Sequence, residues 1–146
     1  MVSALYSRDI LRLAASIPHH ARLNQPQATS EKRAPLCGSG VVVDVVGAEQ
    51  GRIAQLGLEI SACALGQASA SLMAAHAIGR APEDLAAARD ALAAYLAGTR
   101  DDPGDWPGLS VFAHARRYPA RHGAILLAFE AAAEAAALAA SRAPVQ

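Results

Sequence analysis

The sequence predicts an α+β fold in which helices pack on one face of a small antiparallel sheet of about three strands. Residues 40–60 carry β-branched and alternating apolar residues. Apolar residues at helical spacing precede and follow that stretch. One helix, then a sheet, then several helices is an order typical of this class. With 146 residues, residues 1–146 are predicted to form a single domain that buries a core without disulfides or a metal.

The N-terminal part predicts one helix and a connection. Ser3 is suited to cap a helix that Pro18 ends, and its apolar stripe is Tyr6, Ile10, Leu13 and Ile17. Residues 19–35 are polar, contain two prolines and show no periodicity. We therefore expect a long, mobile connection over residues 19–35.

A hairpin follows this connection. Residues 40–46 are rich in valine, residues 47–51 contain glycines suited to a turn, and residues 52–60 alternate apolar and polar side chains. Such a pattern predicts two antiparallel strands joined by a short turn.

The C-terminal half is predicted to be helical. One helix covers residues 63–78, and a second begins at Pro82 and ends at Gly98. Residues 99–108 form a loop, a short helix covers residues 109–115, and a long alanine-rich helix follows Pro119. Residues 143–146 are expected to be a frayed tail.

Charge and composition exclude several classes of function. Thirteen basic and thirteen acidic residues cancel, and Lys32 is the single lysine, so we expect no nucleic-acid partner. No apolar run reaches the ~20 residues of a membrane span and no signal peptide is recognisable, which indicates a cytoplasmic protein without a membrane partner. No nucleophile–base spacing, phosphate loop or metalloprotease motif occurs, so we expect no enzyme.

Two cysteines are the candidates for chemistry. Cys37 precedes the first predicted strand, between Leu36 and Gly38, and Cys63 follows the second strand at the start of a helix. A hairpin between them would return the second thiol towards the first, and a helix N-terminus favours thiolate over thiol. A reactive or metal-binding pair and two unrelated buried thiols both stay open from this geometry.

Three motifs in order carry a resemblance to a known family. Residues 35–39 read Pro-Leu-Cys-Gly-Ser, residues 62–69 read Ala-Cys-Ala-Leu-Gly-Gln-Ala-Ser, and residues 118–129 read Tyr-Pro-Ala-Arg-His-Gly-Ala-Ile-Leu-Leu-Ala-Phe. They are similar to Pro-x-Cys-Gly-Asp, Gly-Cys-Ala-Ile-Ser-x-Ala-Ser and Phe-Pro-Ala-Arg-Ile-Lys-Cys-Ala-Thr-Leu-Ala-Trp. These are motifs of the U-type iron–sulfur cluster assembly scaffolds, which include IscU, SufU and the N-terminal part of NifU.

The resemblance implies a SufE/NifU-like fold and a scaffold that binds iron, a 2Fe–2S cluster or transferred sulfur through Cys37 and Cys63. Family sites hold zinc or a cluster with three cysteines assisted by an aspartate or a histidine, but here Ser39 replaces the aspartate and Ala124 the third cysteine. One chain therefore supplies an incomplete ligand set. We expect Cys37, Cys63 and Ala124 to converge at one end of the sheet.

Two further residues could complete the chemistry of that site. His122 is a candidate substitute metal ligand. Arg121 matches the family arginine that precedes the third cysteine by three positions. An arginine there would lower the pKa of nearby thiols and hold an anion or a persulfide, although pairing with a surface carboxylate explains it equally well.

The resemblance also names partners. It implies a cysteine desulfurase as sulfur donor and apo iron–sulfur proteins as recipients, and it leaves a homodimer open. The alternative is a metal-free interaction or regulatory protein that keeps the partner-binding surface of a scaffold. The joint replacement of ligands at Ser39 and Ala124 motivates this second interpretation.

Overall fold

The computed structural model describes residues 4–35 and 38–142. Its centre is an antiparallel sheet of three strands in the order β1 (Ala28–Arg33), β2 (Gly40–Gly47) and β3 (Ile53–Ser61). The predicted hairpin over residues 40–60 is confirmed as β2 and β3, whose register pairs Val43 with Leu58. The predicted α+β class is confirmed as well.

Residues 4–35 and 38–142 form four α-helices besides the sheet: α1 (Arg8–Ala14), α2 (Ala64–His76), α3 (Pro82–Ala97) and α4 (His122–Ser141). Shorter 3₁₀ segments cover Ala4–Tyr6, Glu49–Gly51, Leu109–Arg117 and Pro119–Arg121. Helix α4 is the central helix, since it packs against β1, β2, α2 and α3. Its buried residues are mostly alanines, which let its neighbours approach closely.

The core lies between the sheet and α4. Val41, Val43 and Val45 alternate along β2 and are buried, because successive side chains of a strand point to opposite faces. They meet Leu56 and Leu58 of β3 across the sheet. Phe129 of α4 is fully buried in the same cluster.

Helix α4 with its preceding turn, Pro119–Ser141, is long and apolar enough to cross a membrane by length and composition alone. The expectation that no stretch meets this test is wrong. Of its most apolar window, 61% is buried inside the protein, and the core helix of a globular protein passes the same test. The absence of a membrane partner stays a prediction.

Strand β1 corrects the expectation of an irregular connection over residues 19–35. Its inward-facing positions include Ser30 and Lys32, which are polar, so the sequence hides the alternation of a strand. Both side chains contact Glu134 of α4. The Ser30 hydroxyl donates to that carboxylate, and Lys32 Nζ lies 3.3 Å from it. Glu134 of α4 therefore provides the polar partner for both of these β1 side chains.

The first half of the same connection lies over β3. The Leu58 N–H group is 3.1 Å from the carbonyl oxygens of both His19 and Ala21. A β-carbon at Gly57 would come within 2.4 Å of the Ala21 carbonyl, so only glycine leaves room for this backbone. The segment covers part of the free edge of β3.

Helix boundaries differ from the sequence prediction mainly at the N-terminus. Helix α1 begins at Arg8 and is capped by Ser7, whose Oγ accepts from the Ile10 N–H at 3.3 Å. The proposed cap Ser3 lies outside the described residues. The predicted short helix after residue 108 is a 3₁₀ helix over Leu109–Arg117. The predicted tail over residues 143–146 also lies outside the described residues.

Candidate functional site

The turn between β1 and β2 frames the first candidate cysteine. The Ala34 N–H donates to the Ser39 carbonyl at 2.9 Å, and the Gly38 N–H donates to the Ala34 carbonyl at 3.2 Å. Gly38 has a φ of +71°, a conformation that glycine adopts readily. Cys37 itself lies outside the described residues. These two hydrogen bonds hold Ala34 close to Gly38 and Ser39 at the end of the sheet.

Cys63 lies at the N-cap of α2, two residues after β3 ends. Its side chain is partly exposed, and its carbonyl accepts from the Gln67 N–H at 3.0 Å. The Gln67 side chain donates to the Ala62 carbonyl at 2.9 Å, which fixes the entry into the helix. Register pairs Gly40 with Ser61, so the turn before β2 and the residues leading to Cys63 share one end of the sheet.

The first turn of α4 packs against both of these segments. A β-carbon on Gly66, in the first turn of α2, would lie 3.6 Å from the Ala124 β-carbon and 3.1 Å from its carbonyl oxygen. A β-carbon on Gly123 would lie 3.7 Å from the β-carbon of Ala34. The position of the third family cysteine, Ala124, is therefore adjacent to the segment that Cys63 caps.

The other candidate residues have different surroundings. Ser39, at the position of the family aspartate, is 4% exposed. His122 is partly buried, and its Nε2 lies 2.8 Å from the Ala115 carbonyl, towards the preceding 3₁₀ helix. Arg121 is exposed at the N-cap of α4, and no ion pair of its side chain occurs among residues 4–35 and 38–142. The roles assigned to Arg121 and His122 stay predictions.

The positions that match the family's ligands carry fewer donor groups than a closed metal site needs. Within the described part of the chain, no group of three or more His, Cys, Asp or Glu residues is placed to hold a metal ion. Ala124 is 1% exposed and packed against Gly66. A closed tetrahedral site needs four ligands, whereas the positions that match the family offer two thiols.

Sequence reasoning missed the role of Gly66. Glycine inside a helix weakens it by roughly 1 kcal/mol relative to alanine, so its presence there usually has a packing reason. The structure gives that reason, since a β-carbon would also come within 2.7 Å of the Ala62 β-carbon. Gly66, which lies inside a predicted helix, was therefore an available signal of close packing at that position.

Comparison with known proteins is consistent with this geometry. No protein-family model matches the chain. The iron–sulfur cluster assembly scaffold protein IscU of Thermotoga maritima is 27% identical over 131 residues, which cover 90% of this chain and 92% of that protein.

Solved structures give a stronger likeness. The crystal structure of a nitrogen-fixing NifU-like protein (N-terminal) from Brucella abortus is 34% identical, has a TM-score of 0.88, and covers 96% of this chain and 97% of its own. An iron–sulfur cluster assembly scaffold protein for the SUF system from Fervidobacterium islandicum shares the fold, with 20% identity, a TM-score of 0.82, and coverage of 90% and 96%. The 34% identity spans almost the whole of both chains. The chain therefore belongs to the U-type iron–sulfur cluster assembly scaffold family.

Proposed function

We propose that this chain works in iron–sulfur cluster assembly and takes up iron, a nascent 2Fe–2S cluster or transferred sulfur through Cys37 and Cys63. The observation that carries the proposal is the packing of the first turn of α4. Gly123 faces Ala34, which precedes Cys37 by three positions in the sequence, and Ala124 faces Gly66 in the helix that Cys63 caps. These two contacts support the proposal, because the first turn of α4 adjoins both Ala34 and the helix that Cys63 caps.

Sulfur uptake suits a site with two thiols. A thiolate of this chain attacks the terminal sulfur of a donor persulfide, a new S–S bond forms here, and the donor thiolate leaves. No outside oxidant or reductant is needed. Cys63 is partly exposed at the N-cap of α2, so its thiol is accessible to a donor persulfide. Arg121 is the residue we assign to holding the anionic persulfide, since its guanidinium is exposed at the start of α4.

The proposed partners follow from this chemistry. The sulfur donor is a cysteine desulfurase, and the recipients are apo iron–sulfur proteins. The chain itself is a scaffold and not an enzyme, and we propose a cytoplasmic location. A second copy of the chain could supply the missing ligands, because two thiols from each of two chains make four.

Anaerobic reconstitution tests the cluster part of the proposal. Wild-type protein mixed with ferrous iron and sulfide is expected to develop visible absorption and to retain acid-labile sulfide after desalting. Cys37→Ser and Cys63→Ser should each lose both signals while keeping the wild-type thermal unfolding curve. A wild-type protein that stays colourless would contradict cluster binding.

Mass spectrometry tests the sulfur part separately. After incubation with a cysteine desulfurase and free cysteine, a peptide carrying Cys37 or Cys63 should gain the mass of one sulfur atom. Treatment with dithiothreitol should remove that mass. Unmodified peptides in a sample whose desulfurase is active would contradict sulfur uptake.

A metal-free interaction protein is the second candidate, and the packing at Ala124 favours it. The third ligand position is 1% exposed and packs closely against Gly66, so its side chain is part of the core and not of an open site. This candidate predicts that Cys37→Ser with Cys63→Ser leaves desulfurase binding unchanged in a calorimetric titration.

A further inference from the structure

Strand β1 is one edge of the sheet, whose strand order is β1, β2, β3. Hydrogen-bonded positions alternate along an antiparallel strand. The Ala34 N–H donates to the Ser39 carbonyl, so the even-numbered residues of β1 direct their backbone groups towards β2. The N–H and C=O groups of Thr29, Glu31 and Arg33 therefore point away from the sheet. A row of such groups is a template on which a strand of another chain can pair.

The edge formed by β1 is also uncovered. Residues 19–21 lie over the opposite edge, at β3, where they accept from the Leu58 N–H. No segment within residues 4–35 and 38–142 hydrogen-bonds in this way to the outward groups of β1. The side chains of Glu31 and Arg33, which flank those groups, are 52% and 72% exposed. Strand β1 is therefore accessible to a second copy of the chain.

One charged side chain of β1 lies on the inner face of the sheet. Lys32 pairs in register with the buried Val41, and residues directly opposite each other on antiparallel strands direct their side chains to the same face. Its Nζ lies 3.3 Å from the Glu134 carboxylate of α4, and the two side chains keep contact with water, at 39% and 46% exposure. An inward-facing charge on an edge strand disfavours pairing with another sheet.

A second β1 strand would place Lys32 at the junction between two sheets. Antiparallel pairing of two identical strands is centred on one residue, here Ser30, Glu31 or Lys32, and residues equally far from that centre lie opposite each other. Lys32 of one copy would then lie opposite Ala28, Ser30 or Lys32 of the second copy. None of these side chains is anionic, so no register offers the ammonium group a new partner across the two strands.

Pairing would also withdraw the Lys32–Glu134 ion pair from water. The cost of desolvating an ion pair can exceed the attraction between its charges, so this pair disfavours a contact that buries it. The pair of Glu31 and Arg33, whose oxygen and nitrogen lie 2.9 Å apart, differs in this respect. These side chains lie on the outer face, where they would stay in water after two strands had paired.

We propose that the Lys32–Glu134 ion pair prevents β1 from pairing with β1 of a second copy of the chain. This inference goes beyond the proposed function, since it concerns self-association and needs neither metal nor sulfur. It has a consequence for the candidate site. In all three registers, residues 26–30 of the second copy would lie opposite Ala34, which precedes Cys37 by three positions. An unpaired β1 keeps that approach open, and a pair of chains that shares ligands would meet through another surface.

Sedimentation equilibrium of the double variant Lys32→Val with Glu134→Gln tests the proposal. The variant loses one positive and one negative charge and gains a β-branched side chain on the inner face. We expect it to self-associate at least about tenfold more tightly than the wild type. Hydrogen exchange identifies the surface. The outward amides of Thr29, Glu31 and Arg33 should exchange quickly in the wild type and slowly in the associated variant.

Arg33→Val with Glu31→Gln is the matched control. It makes the same exchanges of charge on the same strand, but on the outer face, and it is expected to associate no more than the wild type. Equal association of the two double variants would overturn the proposal. A Lys32→Val variant that stays monomeric, or a wild type whose outward β1 amides are already protected, would overturn it as well.

Circular dichroism verifies that each variant is folded. If Lys32→Val with Glu134→Gln does not fold, Lys32→Thr takes its place. That change removes the inward charge, keeps a β-branched side chain and leaves the bond from the Ser30 hydroxyl to Glu134 intact. It should also associate more tightly than the wild type, and a folded Lys32→Thr variant that stays monomeric would contradict the proposal.

Discussion

Gly66 and Ala124 lie so close that a β-carbon on Gly66 would be 3.1 Å from the Ala124 carbonyl oxygen. This contact joins the first turn of α2 to the first turn of α4, beside Cys63. It makes the end of the sheet a rigid junction between two helix N-termini.

Gly66→Ala is predicted to destabilise the protein. Alanine normally strengthens a helix relative to glycine, but here its β-carbon would also come within 2.7 Å of the Ala62 β-carbon. Overpacking of this kind costs roughly 1–3 kcal/mol of unfolding free energy, which exceeds the gain in helix propensity. Urea unfolding followed by circular dichroism measures the difference.

Gly123→Ala is the matched control for this prediction. It makes the same change in the first turn of α4, where the nearest contact of the new β-carbon is an ordinary 3.7 Å to Ala34. We expect this variant to be as stable as the wild type or slightly more stable. Equal behaviour of the two variants would contradict the close contact at Gly66.

Asp44 is predicted to stabilise the packing of the connection after α1 against the outer face of the sheet. Its carboxylate is fully buried and accepts from Arg22 Nε at 2.6 Å, the Thr29 hydroxyl at 2.6 Å and the Leu23 N–H at 3.0 Å. Asp44→Asn removes the charge from these bonds and leaves donors facing each other. We expect the free energy of unfolding of this variant to fall by about 2–3 kcal/mol at neutral pH, measured by urea unfolding. Asp102→Asn breaks an exposed ion pair with Arg100 and should change the free energy of unfolding little.

The same carboxylate should make stability depend on acid pH. Burial raises the pKa of Asp44, but the bonds from Arg22, Thr29 and Leu23 lower it by more, so the net pKa lies below its ordinary value. A carboxyl of this kind stabilises the fold above its unfolded pKa of about 3.9 and loses that effect as pH falls through the lower folded pKa. The difference in unfolding free energy between the wild type and Asp44→Asn should therefore become smaller below about pH 4. A gap that widens there would contradict the assignment.

The fold was predictable where the inward-facing positions are apolar. The valines of β2 and the alternation of β3 revealed the hairpin, and Pro82 and Gly98 marked the ends of α3. Strand β1 was missed because its inward side chains are polar and are satisfied by Glu134, more than a hundred residues away in the chain. A contact of that sequence separation leaves no local pattern.

The sequence predicted which positions form the candidate site, but it did not predict how the helices that carry them pack together. Motif spacing identified Cys63 and Ala124 as the positions that match family ligands. The hairpin explained why the start of β2 and the end of β3 lie at the same end of the sheet. The close approach at Gly66 and the orientation of His122 towards the Ala115 carbonyl depend on the angle between helices. Such angles are set by tertiary packing rather than by any one segment.

Trp106 is predicted to anchor the loop over residues 99–108. Its Nε1–H donates to the Leu72 carbonyl at 2.9 Å, and its ring packs edge-on against Phe129 with centroids 5.4 Å apart. Trp106→Tyr loses the indole donor and part of the packing, which should lower the free energy of unfolding by about 2–3 kcal/mol. Circular dichroism during thermal unfolding measures it. Phe112→Leu, a conservative change at another buried aromatic residue, should cost less.

The last prediction concerns repair of the ligand set. Ala124→Cys would add a thiol in the first turn of α4, where the helix N-terminus favours thiolate. Since Ala124 adjoins the helix that Cys63 caps, we expect the zinc affinity to rise by at least about tenfold. Adding Ser39→Asp places a carboxylate at a position that is 4% exposed. The double variant should therefore be less stable than the wild type without zinc and gain more stability from zinc.

Ala128→Cys provides the matched thiol for this experiment. It lies one turn further along α4, is fully buried, and is expected to leave the zinc affinity at the wild-type level. Competition against a zinc chromophore gives the affinities, and thermal unfolding with and without zinc gives the stabilities. If Ala124→Cys and Ala128→Cys bind zinc equally, position 124 does not face the thiols. The backbone would then have diverged from the scaffold geometry together with the ligands, and the metal-free interaction protein would become the better account of the chain.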